Sequence, residues 1–307
     1  MTWLLWRQHR VQVAIATALI AAFALPAWIT GDHLASSLQS CKASATCSGF
    51  NLFQGYGWMV TLVDVTILVP LLIGVFWGAT IVGRELETGT ATLAWTQSVT
   101  RRQWLRTKVL TLFVFAAASS GAVSALVTWW SRTRNSTVES RFGGFPFDIQ
   151  GVVPVAYTLF SAALGLAAGV LWRRTLPAMA TTVGVFIALR VIVDSFVRQH
   201  YMAPLKQVTS MSGPGDGLPV GSWVISSELS RNGQVFTGPV HAPATCVGAG
   251  SRQAMDACMN AHGYRIQTTY QPASRFWTFQ WIEFGLYASL AVLLLVTAMV
   301  VLKRRDA

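Results

Sequence analysis

Four ionisable residues lie within or at the edge of strongly apolar stretches of the sequence: Asp64, Arg190, Asp194 and Glu283. Charged groups in such surroundings are costly and usually mark a function. Two aspartates can share the acid and base roles of an aspartyl protease, but the contexts LVDVT and IVDSF lack the glycine-rich surroundings that those enzymes use. Arg190 and Asp194 are four residues apart on one predicted helix, which favours a local ion pair. We expect Asp64 to pair with Arg190 or to line a cavity, and Glu283 to reach water.

Four possible metal ligands lie in the C-terminal third of the sequence: His241, Cys246, Cys258 and His262. Eleven residues separate the two cysteines, whereas structural zinc sites usually contain a closely spaced cysteine pair. A disulfide with bystander histidines is therefore favoured over a metal site. The sequence contains neither a Gly-x-Ser-x-Gly motif nor a Walker A motif. We therefore expect no catalytic, cofactor-binding or metal-binding residue in this chain, and no enzyme activity of its own.

The elements that position these residues are apolar helices. Hydrophobic residues make up 53% of the 307 residues and charged residues only 11%, whereas about 25% of a soluble domain is charged. A helix needs about 20 residues to cross ~30 Å of hydrocarbon. Six apolar runs reach that length: 11–29, 59–82, 109–130, 152–172, 176–197 and 281–302. The sequence therefore predicts an all-α, multi-pass membrane protein with six transmembrane helices, the first of them retained and not a removed signal peptide.

The distribution of Lys and Arg predicts which ends of these helices face the cytoplasm. With an inside N-terminus, the inside segments are 1–10, 83–108, 173–175 and 303–307. They contain 12 Lys or Arg among 44 residues, whereas the short outside loops 30–58 and 131–151 contain four among 50. Positive residues concentrate on the cytoplasmic side, so we expect both termini inside. The net charge of +11 then reflects topology and attraction to anionic lipids, and nucleic-acid binding is not expected.

All four cysteines lie outside on this topology. Cys41 and Cys47 follow the first span, and Cys246 and Cys258 lie before the last one. An oxidising exterior favours disulfides. The simplest of the three possible connectivities pairs Cys41 with Cys47 and Cys246 with Cys258.

Residues 198–280 form a long segment that is rich in Gly, Pro and Ser up to about residue 250 and then carries a helix candidate from Ser251 to Ala261. The segment is longer than ordinary connections between helices. We expect a small, disulfide-stapled external subdomain. The predicted domains are an interfacial N-terminal helix, five spans with the 83–108 loop, the external segment, and the sixth span with a basic tail: 1–10, 11–197, 198–280 and 281–307.

The N-terminal residues 1–10 combine aromatic, apolar and basic side chains. Trp3 and Trp6 lie beside Leu4 and Leu5 in the sequence, together with the basic residues Arg7 and Arg10. This pattern suits a short amphipathic helix in the headgroup region. The alternative is an ordinary basic and aromatic flank of the first span.

Small residues recur at every fourth position in two spans: Ala117, Gly121 and Ala125 in the third, and Ser161, Gly165 and Gly169 in the fourth. Small residues at this spacing let helices approach one another closely. We expect these stripes to pack inside the bundle, with a dimer seam as the alternative.

Residues 83–108 form the longest polar segment that we expect inside the cell. Its sequence runs from two acids and a Gly-Thr pair, through a short apolar helix candidate, to a basic stretch. The residues concerned are Glu85, Glu87, Gly89, Thr90, Leu93, Trp95, Arg101, Arg102, Arg106 and Lys108. A patterned loop of 26 residues exceeds a simple connection, which favours a segment that another protein grips over a solvated connector.

This loop resembles the one by which permease subunits of ABC exporters contact their ATP-binding partner. RELETGTATLAWTQSVTRRQWLRTK is similar to the pattern R-E-x-E-x-G-T, a short helix, and a basic stretch before the next span. The strings WRQHR, GVVPVAYTLF, LWRRTLPAMA and YQPASRFWTFQWIE resemble the permease group common in actinobacteria. Six helices, a cytoplasmic loop after the second and an external segment before the sixth are similar to the type V exporter architecture.

The resemblance implies a permease in the bacterial plasma membrane that works as a dimer, with itself or with a sibling. It implies two ATP-binding subunits as partners, which carry the ATP and Mg. Residues around Glu85 to Val99 would form a coupling helix seated in a groove of that partner. Glu85 and Glu87 would pair with basic partner residues, and Leu93 and Trp95 would supply apolar anchors. The substrate would be a hydrophobic or amphipathic compound, such as a drug, antibiotic, peptide or lipid, moved outwards.

Two other classes of function remain as alternatives. One is a membrane-embedded enzyme that uses Asp64 and Asp194. The other is a structural or sensory membrane protein whose external loop binds a ligand. Neither of them needs a docking helix in the cytoplasm, so the 83–108 loop favours the exporter permease.

Overall fold

The computed structural model describes residues 2–42, 55–90, 101–135, 140–211, 218–236, 242–247 and 250–305. Six helical stretches within them are long and apolar enough to cross a membrane, and we call them the first to the sixth span. They are Val13–Ser40, Gly57–Glu87, Gln103–Asn135, Val153–Trp172, Thr175–His200 and Ala273–Arg304. Each overlaps one of the six predicted runs, so the predicted six-helix membrane fold is confirmed.

The α-helices are α1 Thr2–Lys42, α2 Gly57–Val65, α3 Val69–Ile73, α4 Ala79–Glu87, α5 Arg101–Asn135, α6 Gly144–Ile149, α7 Val153–Trp172, α8 Thr175–Ile192, α9 Arg252–Ala261 and α10 Phe276–Arg305. Helices α2, α3 and α4 together form the second span, joined by a 3₁₀ turn (Thr66–Leu68) and a π-helical turn (Gly74–Gly78). The fifth span continues beyond α8 through a π-helical turn (Val193–Val197) and a 3₁₀ turn (Arg198–His200).

The first span belongs to a single helix that begins at Thr2. Residues 2–10 are therefore its first turns, and the helix predicted for the N-terminus is continuous with the span. Toward its other end, α1 packs on the third span, where the buried Trp130 donates a hydrogen bond from Nε1 to Thr30 Oγ1 (3.0 Å). Trp28 stacks on Trp129 with ring centroids 5.6 Å apart.

The fourth span is the central helix of the bundle. Its most apolar stretch is 72% buried, whereas the corresponding stretches of the other spans are 11–33% buried. It packs against the second, third, fifth and sixth spans. A helix that is apolar on all sides is expected at such a position.

Glycines bring the second and fourth spans into very close contact. A Cβ atom added at Gly74 would lie 2.6 Å from the carbonyl oxygen of Ser161, and one at Gly78 would lie 2.7 Å from that of Ala162. On the other side of the contact, Gly165 faces Gly74 and Ala79. The small-residue stripe of the fourth span therefore packs inside the bundle. In the third span, a Cβ added at Gly121 would meet nothing within 4 Å.

Residues 205–271 contain an antiparallel sheet that the sequence analysis did not predict. Its strands are β1 Leu205–Thr209, β2 Trp223–Arg231, β3 Gln234–Val235 and β4 Tyr264–Gln271, in the order β1-β4-β2-β3. The helix predicted from Ser251 to Ala261 is confirmed as α9, whose cap Ser251 accepts a hydrogen bond from the Ala254 N–H (3.2 Å). The predicted Cys246–Cys258 disulfide is also present.

Two hydrogen bonds connect the residues just after the fifth span to the end of β4 and to the start of the sixth span. Gln271, the last residue of β4, donates from Nε2 to the Met202 carbonyl oxygen (2.8 Å). Arg275 donates from Nη1 to the Ala203 carbonyl oxygen (2.8 Å). The sheet is thus tied directly to the helix bundle on which it stands.

Candidate functional site

The bundle carries polar groups at both ends. We call the end that holds residues 83–90, 101–108 and 173–175 the loop end, and the end next to the sheet the sheet end. The two are separated by the length of the spans. Each holds a small set of charged side chains whose contacts join several helices.

At the loop end, Glu85 joins the second span to the third. Its carboxylate pairs with Lys108, which is buried and also donates from Nζ to the Ile81 carbonyl oxygen (3.3 Å). Trp104 donates from Nε1 to the second Glu85 oxygen (3.2 Å). The amphipathic end of α4 therefore stays fixed to the start of the third span through one acid.

Glu87 joins the second span to the fifth. One of its carboxylate oxygens accepts hydrogen bonds from both the N–H (2.9 Å) and the Oγ1 (2.6 Å) of Thr175. Thr175 is the first residue of α8, where backbone N–H groups lack partners within the helix. A carboxylate at that position also interacts favourably with the helix dipole. Glu87 thus caps the fifth span from a neighbouring helix.

These contacts add to one expectation of the sequence analysis, which stays a prediction. Glu85 and Glu87 were expected to pair with basic residues of a partner protein, but both carboxylates are engaged within the chain. Gly89 has a φ of +70°, the left-handed geometry that ends a helix, and Thr90 Oγ1 lies 3.1 Å from Thr88 Oγ1. The predicted apolar anchors, Leu93 and Trp95, lie outside the residues that the structure describes.

A cleft of about 680 Å³ opens at the loop end. Its charged lining residues are Arg84, Glu85, Glu87 and Lys108, and its apolar ones include Phe76, Trp77 and Met179. The cleft is therefore amphipathic, with polar groups from the second, third and fifth spans around it.

At the sheet end, Arg198 lies at the centre of a buried ion cluster. It is only 1% exposed and contacts three carboxylates. Its Nη2 lies 2.6 Å from Asp148 Oδ1, its Nε lies 3.0 Å from Glu283 Oε2, and its Nη1 pairs with Asp194. These acids come from α6, the sixth span and the fifth span itself, so one side chain joins three elements.

Further polar side chains complete the cluster. Arg190 donates from Nη2 to Asp148 Oδ2 (2.5 Å), and its guanidinium lies 3.9 Å from the centre of the Tyr157 ring. The Tyr157 hydroxyl contacts Glu283 Oε1 and Asp148 Oδ1, the latter at 3.1 Å. Burial and the nearby Glu283 carboxylate raise the pKa of Tyr201, so its hydroxyl stays protonated and donates to Glu283 (3.2 Å).

The structure corrects the expected partners of the four intramembrane charges. Arg190 does not pair with Asp194; it pairs with Asp148, and Asp194 pairs with Arg198 one turn further on. Glu283 does not reach water, because its side chain is fully buried against Arg198.

Asp64 also has a different partner from the expected Arg190. Its Oδ1 lies 3.8 Å from Arg134 Nη1 of the third span. Asp64 and Asp194 thus lie against different arginines, which disfavours a catalytic pair of aspartates.

The sequence analysis missed Asp148, Tyr157, Arg198 and Gln280. Gln280 accepts hydrogen bonds at Oε1 from the N–H groups of Val152 and Val153 (3.0 Å each), and donates to the Phe147 carbonyl oxygen (2.9 Å). The sixth span therefore caps the fourth. A local signal existed only for Arg198, which follows Asp194 by four residues.

The cysteine and histidine group in segment 198–280 does not fit a metal site as it stands. Cys246 and Cys258 are joined in a disulfide, so neither offers a thiolate, which is the ligand that zinc requires. His262 lies beside them, with Nδ1 2.9 Å from the Cys258 carbonyl oxygen and Nε2 3.1 Å from Thr245 Oγ1. His241 and Cys47, and the side chain of Cys41, lie outside the described part of the chain.

Comparison with known proteins identifies the family. The model of a family described as ABC-2 membrane transporter related matches residues 13–198, which is more than half of the chain and extends from the first span to the last turn of the fifth. No curated protein matches the chain, and no solved structure does. The chain therefore belongs to the ABC-2 membrane transporter related family, as a membrane-embedded permease component of an ABC transporter.

Proposed function

We propose that this chain is the permease subunit of an ATP-driven exporter that moves hydrophobic or amphipathic compounds out of the cell. Separate ATP-binding subunits bind the ATP and Mg and dock on the 83–108 loop. The permease works as a dimer in the bacterial plasma membrane, with a second copy or a sibling chain. One observation carries this proposal: at the loop end, Glu85 and Glu87 join the second span to the third and the fifth.

These two contacts determine how a movement of the loop is transmitted to the helices of the bundle. Glu85 holds the second span to the third through Lys108, and Glu87 holds it to the fifth through Thr175. A displacement of the loop by closing ATPase subunits therefore moves these helices together. Movement of whole helices against one another is a common way to switch between inward and outward access.

In this mechanism, the ion cluster at the sheet end closes the opposite side of the bundle. Arg198 and Glu283 join the fifth and sixth spans in a buried position, and Tyr157 adds the fourth span. Separating a buried ion pair while its charges stay out of water leaves them uncompensated, which is costly. We infer that the cluster stays closed while the loop end is open, and that its rearrangement accompanies release.

Docking on the 83–108 loop is tested by a double substitution, Leu93→Glu with Trp95→Glu. Full-length permease is expressed together with its ATP-binding subunit, and co-purification and ATP hydrolysis are measured. Two carboxylates placed at apolar anchors prevent docking, so we expect the ATPase subunit to be lost and coupled hydrolysis to fall to its background rate.

The matched control carries two carboxylates at exposed apolar positions of the sheet end, Val220→Glu with Val247→Glu (83% and 69% exposed). It should retain the partner. Normal co-purification and substrate-stimulated hydrolysis in the Leu93/Trp95 variant would refute the assignment of the loop.

A further inference from the structure

An apolar groove of about 600 Å³ runs between the first, second and third spans. Its walls include Ile15 and Leu19 of the first span and Leu68 and Leu72 of the second. The groove is open to the surroundings of the bundle, since Leu19 is 66% and Leu72 48% exposed. In a membrane those surroundings are hydrocarbon chains.

The groove has few hydrogen-bond donors along its described walls. Apart from the indole N–H of Trp77 at its loop end, the polar groups of its lining side chains are the hydroxyls of Thr66 and Ser119. The Thr66 hydroxyl donates to the Val63 carbonyl oxygen (2.6 Å), and the Ser119 hydroxyl donates to that of Phe115 (2.7 Å). The chemistry that fits this groove is therefore an unsubstituted apolar chain.

The groove also has the length of a lipid chain. Its lining on the second span extends from Leu62 to Trp77, which is about 22 Å at 1.5 Å per residue. One leaflet of a bilayer contributes ~15 Å of hydrocarbon, half of the ~30 Å core. An acyl chain of one leaflet therefore fits within the groove along its axis.

The groove meets the cleft at the loop end. Phe76 and Trp77 line both of them, so the apolar chain site continues directly into the charged cleft. This arrangement suits a ligand with an apolar tail and a polar head. The head then lies where the second span leaves the membrane.

One cation in the cleft is available to such a head. Lys108 pairs with Glu85, and Glu87 accepts from Thr175. Arg84 lines the same cleft and is exposed, and its guanidinium has no ion pair or hydrogen bond with the residues that the structure describes. Arginine binds phosphate through two parallel hydrogen bonds.

We propose that the groove and cleft together bind one phospholipid of the cytoplasmic leaflet, with its phosphate on Arg84 and an acyl chain between the first and second spans. The choice of leaflet rests on the proposed function, which places the loop end in the cytoplasm. The proposal assigns an inner-leaflet lipid site to the permease. It also names a phospholipid as one member of the amphipathic substrate class. An apolar compound without an anionic group would leave Arg84 unused.

The test uses the full-length permease without its ATPase subunit. The protein is reconstituted in nanodiscs of phosphatidylcholine and phosphatidylglycerol and transferred to detergent. Phospholipid that stays bound is then counted by native mass spectrometry. We expect one retained phospholipid per chain. Arg84→Gln should lower that retention about tenfold, as expected for the loss of a hydrogen bond to a charged group.

Groove variants test the acyl chain separately. Leu72→Trp and Leu19→Trp fill the groove from opposite walls, and each should also lower lipid retention. Two controls should retain the lipid: Arg304→Gln, an exposed cation at the same end of the bundle, and Leu293→Trp, an exposed apolar residue of the sixth span. Every variant is compared as monodisperse protein with a thermal unfolding midpoint close to that of the wild type.

Three results would overturn the proposal: no phospholipid on the wild-type chain, equal loss in the controls, or full retention in both folded groove variants. Inorganic phosphate is added in a separate arm, and it should not displace the lipid; displacement would assign Arg84 to a free anion. Because this assay contains no ATPase subunit, its failure is distinct from failure of ATPase docking.

Discussion

Arg198 is the residue on which the sheet-end ion cluster depends. It is 1% exposed, and its guanidinium contacts carboxylates of three residues, two of them almost fully buried. Taking a cation out of water is costly unless it is paired and fully hydrogen-bonded. Here Asp148 and Glu283 satisfy that requirement, and they depend on Arg198 in return.

Arg198→Met keeps an unbranched apolar side chain but removes the guanidinium and its charge. It leaves buried carboxylates without their main partner, and we expect a loss of about 3–5 kcal/mol in stability. Thermal or denaturant unfolding in detergent, followed by tryptophan fluorescence, measures the loss. Lys206→Met, which removes an exposed cation of β1, should change stability by less than about 0.5 kcal/mol.

A double variant separates the ion pair from the packing at this position. Adding Glu283→Met to Arg198→Met removes the buried charge that the single variant leaves behind. The double variant should therefore be less destabilised than the sum of the two single variants, by about 0.5–3 kcal/mol. Simple additivity would show that Arg198 and Glu283 do not depend on one another.

Three of the four charged positions named from the sequence, Arg190, Asp194 and Glu283, lie in the buried cluster, but their partners differ from the expected ones. The i,i+4 rule selected Arg190 with Asp194, whereas the structure uses the next such pair, Asp194 with Arg198. The competing partner of Arg190 is Asp148, on a short helix 42 residues away in the chain. Contacts over that distance depend on how the helices pack, which spacing within one helix does not reveal.

Among the elements, the second and fourth spans show the closest packing. Gly165 faces the backbone of Gly74 and Ala79, so a side chain there meets main-chain atoms that cannot rotate away. Small residues are the usual means of bringing transmembrane helices this close. The spacing of Ser161, Gly165 and Gly169 predicted that this stripe packs inside the bundle, but not which span it meets. The same spacing in the third span does not mark such a contact at Gly121, where an added Cβ meets nothing within 4 Å.

Gly165→Ala should push the two spans apart and destabilise the bundle by about 1–3 kcal/mol, the usual cost of overpacking. The measurement is the unfolding midpoint in detergent. Gly184→Ala is the matched control, because a Cβ at Gly184 meets nothing within 4 Å. In a helix interior that change should be neutral or stabilising by up to ~1 kcal/mol. Equal effects of the two variants would show that helix propensity, and not the span contact, decides the outcome.

The sheet of segment 198–280 was not predicted, although its strands carry a signal. Strand β4 reads YRIQTTYQ and β2 reads WVISSELSR, both with β-branched and aromatic residues that favour strands. The Gly- and Pro-rich stretches between them dominated the interpretation, which predicted a disulfide-stapled subdomain with one helix and no strands. The pairing of β4 with both β1 and β2 again joins residues far apart in the chain.

In the whole molecule, the fifth span connects the two polar ends. Its first residue, Thr175, is held by Glu87 at the loop end. Arg190 and Arg198, toward its other end, belong to the sheet-end cluster. A shift of the loop therefore reaches the cluster along one helix, and through the central fourth span on which that helix packs. This connection is the physical basis for coupling one end to the other.

The proposed coupling requires the loop end to face the cytoplasm, and this orientation can be measured directly. Cysteine is introduced at Val220, an 83% exposed position of the sheet end, or at Lys303, an exposed position of the loop end. Because positive residues concentrate at the loop end, we expect a membrane-impermeant maleimide to label Val220→Cys in intact cells. Lys303→Cys should be labelled only after permeabilisation, with the unsubstituted chain as the blank. The reverse pattern would place the 83–108 loop outside the cell, where no ATP-binding subunit could reach it.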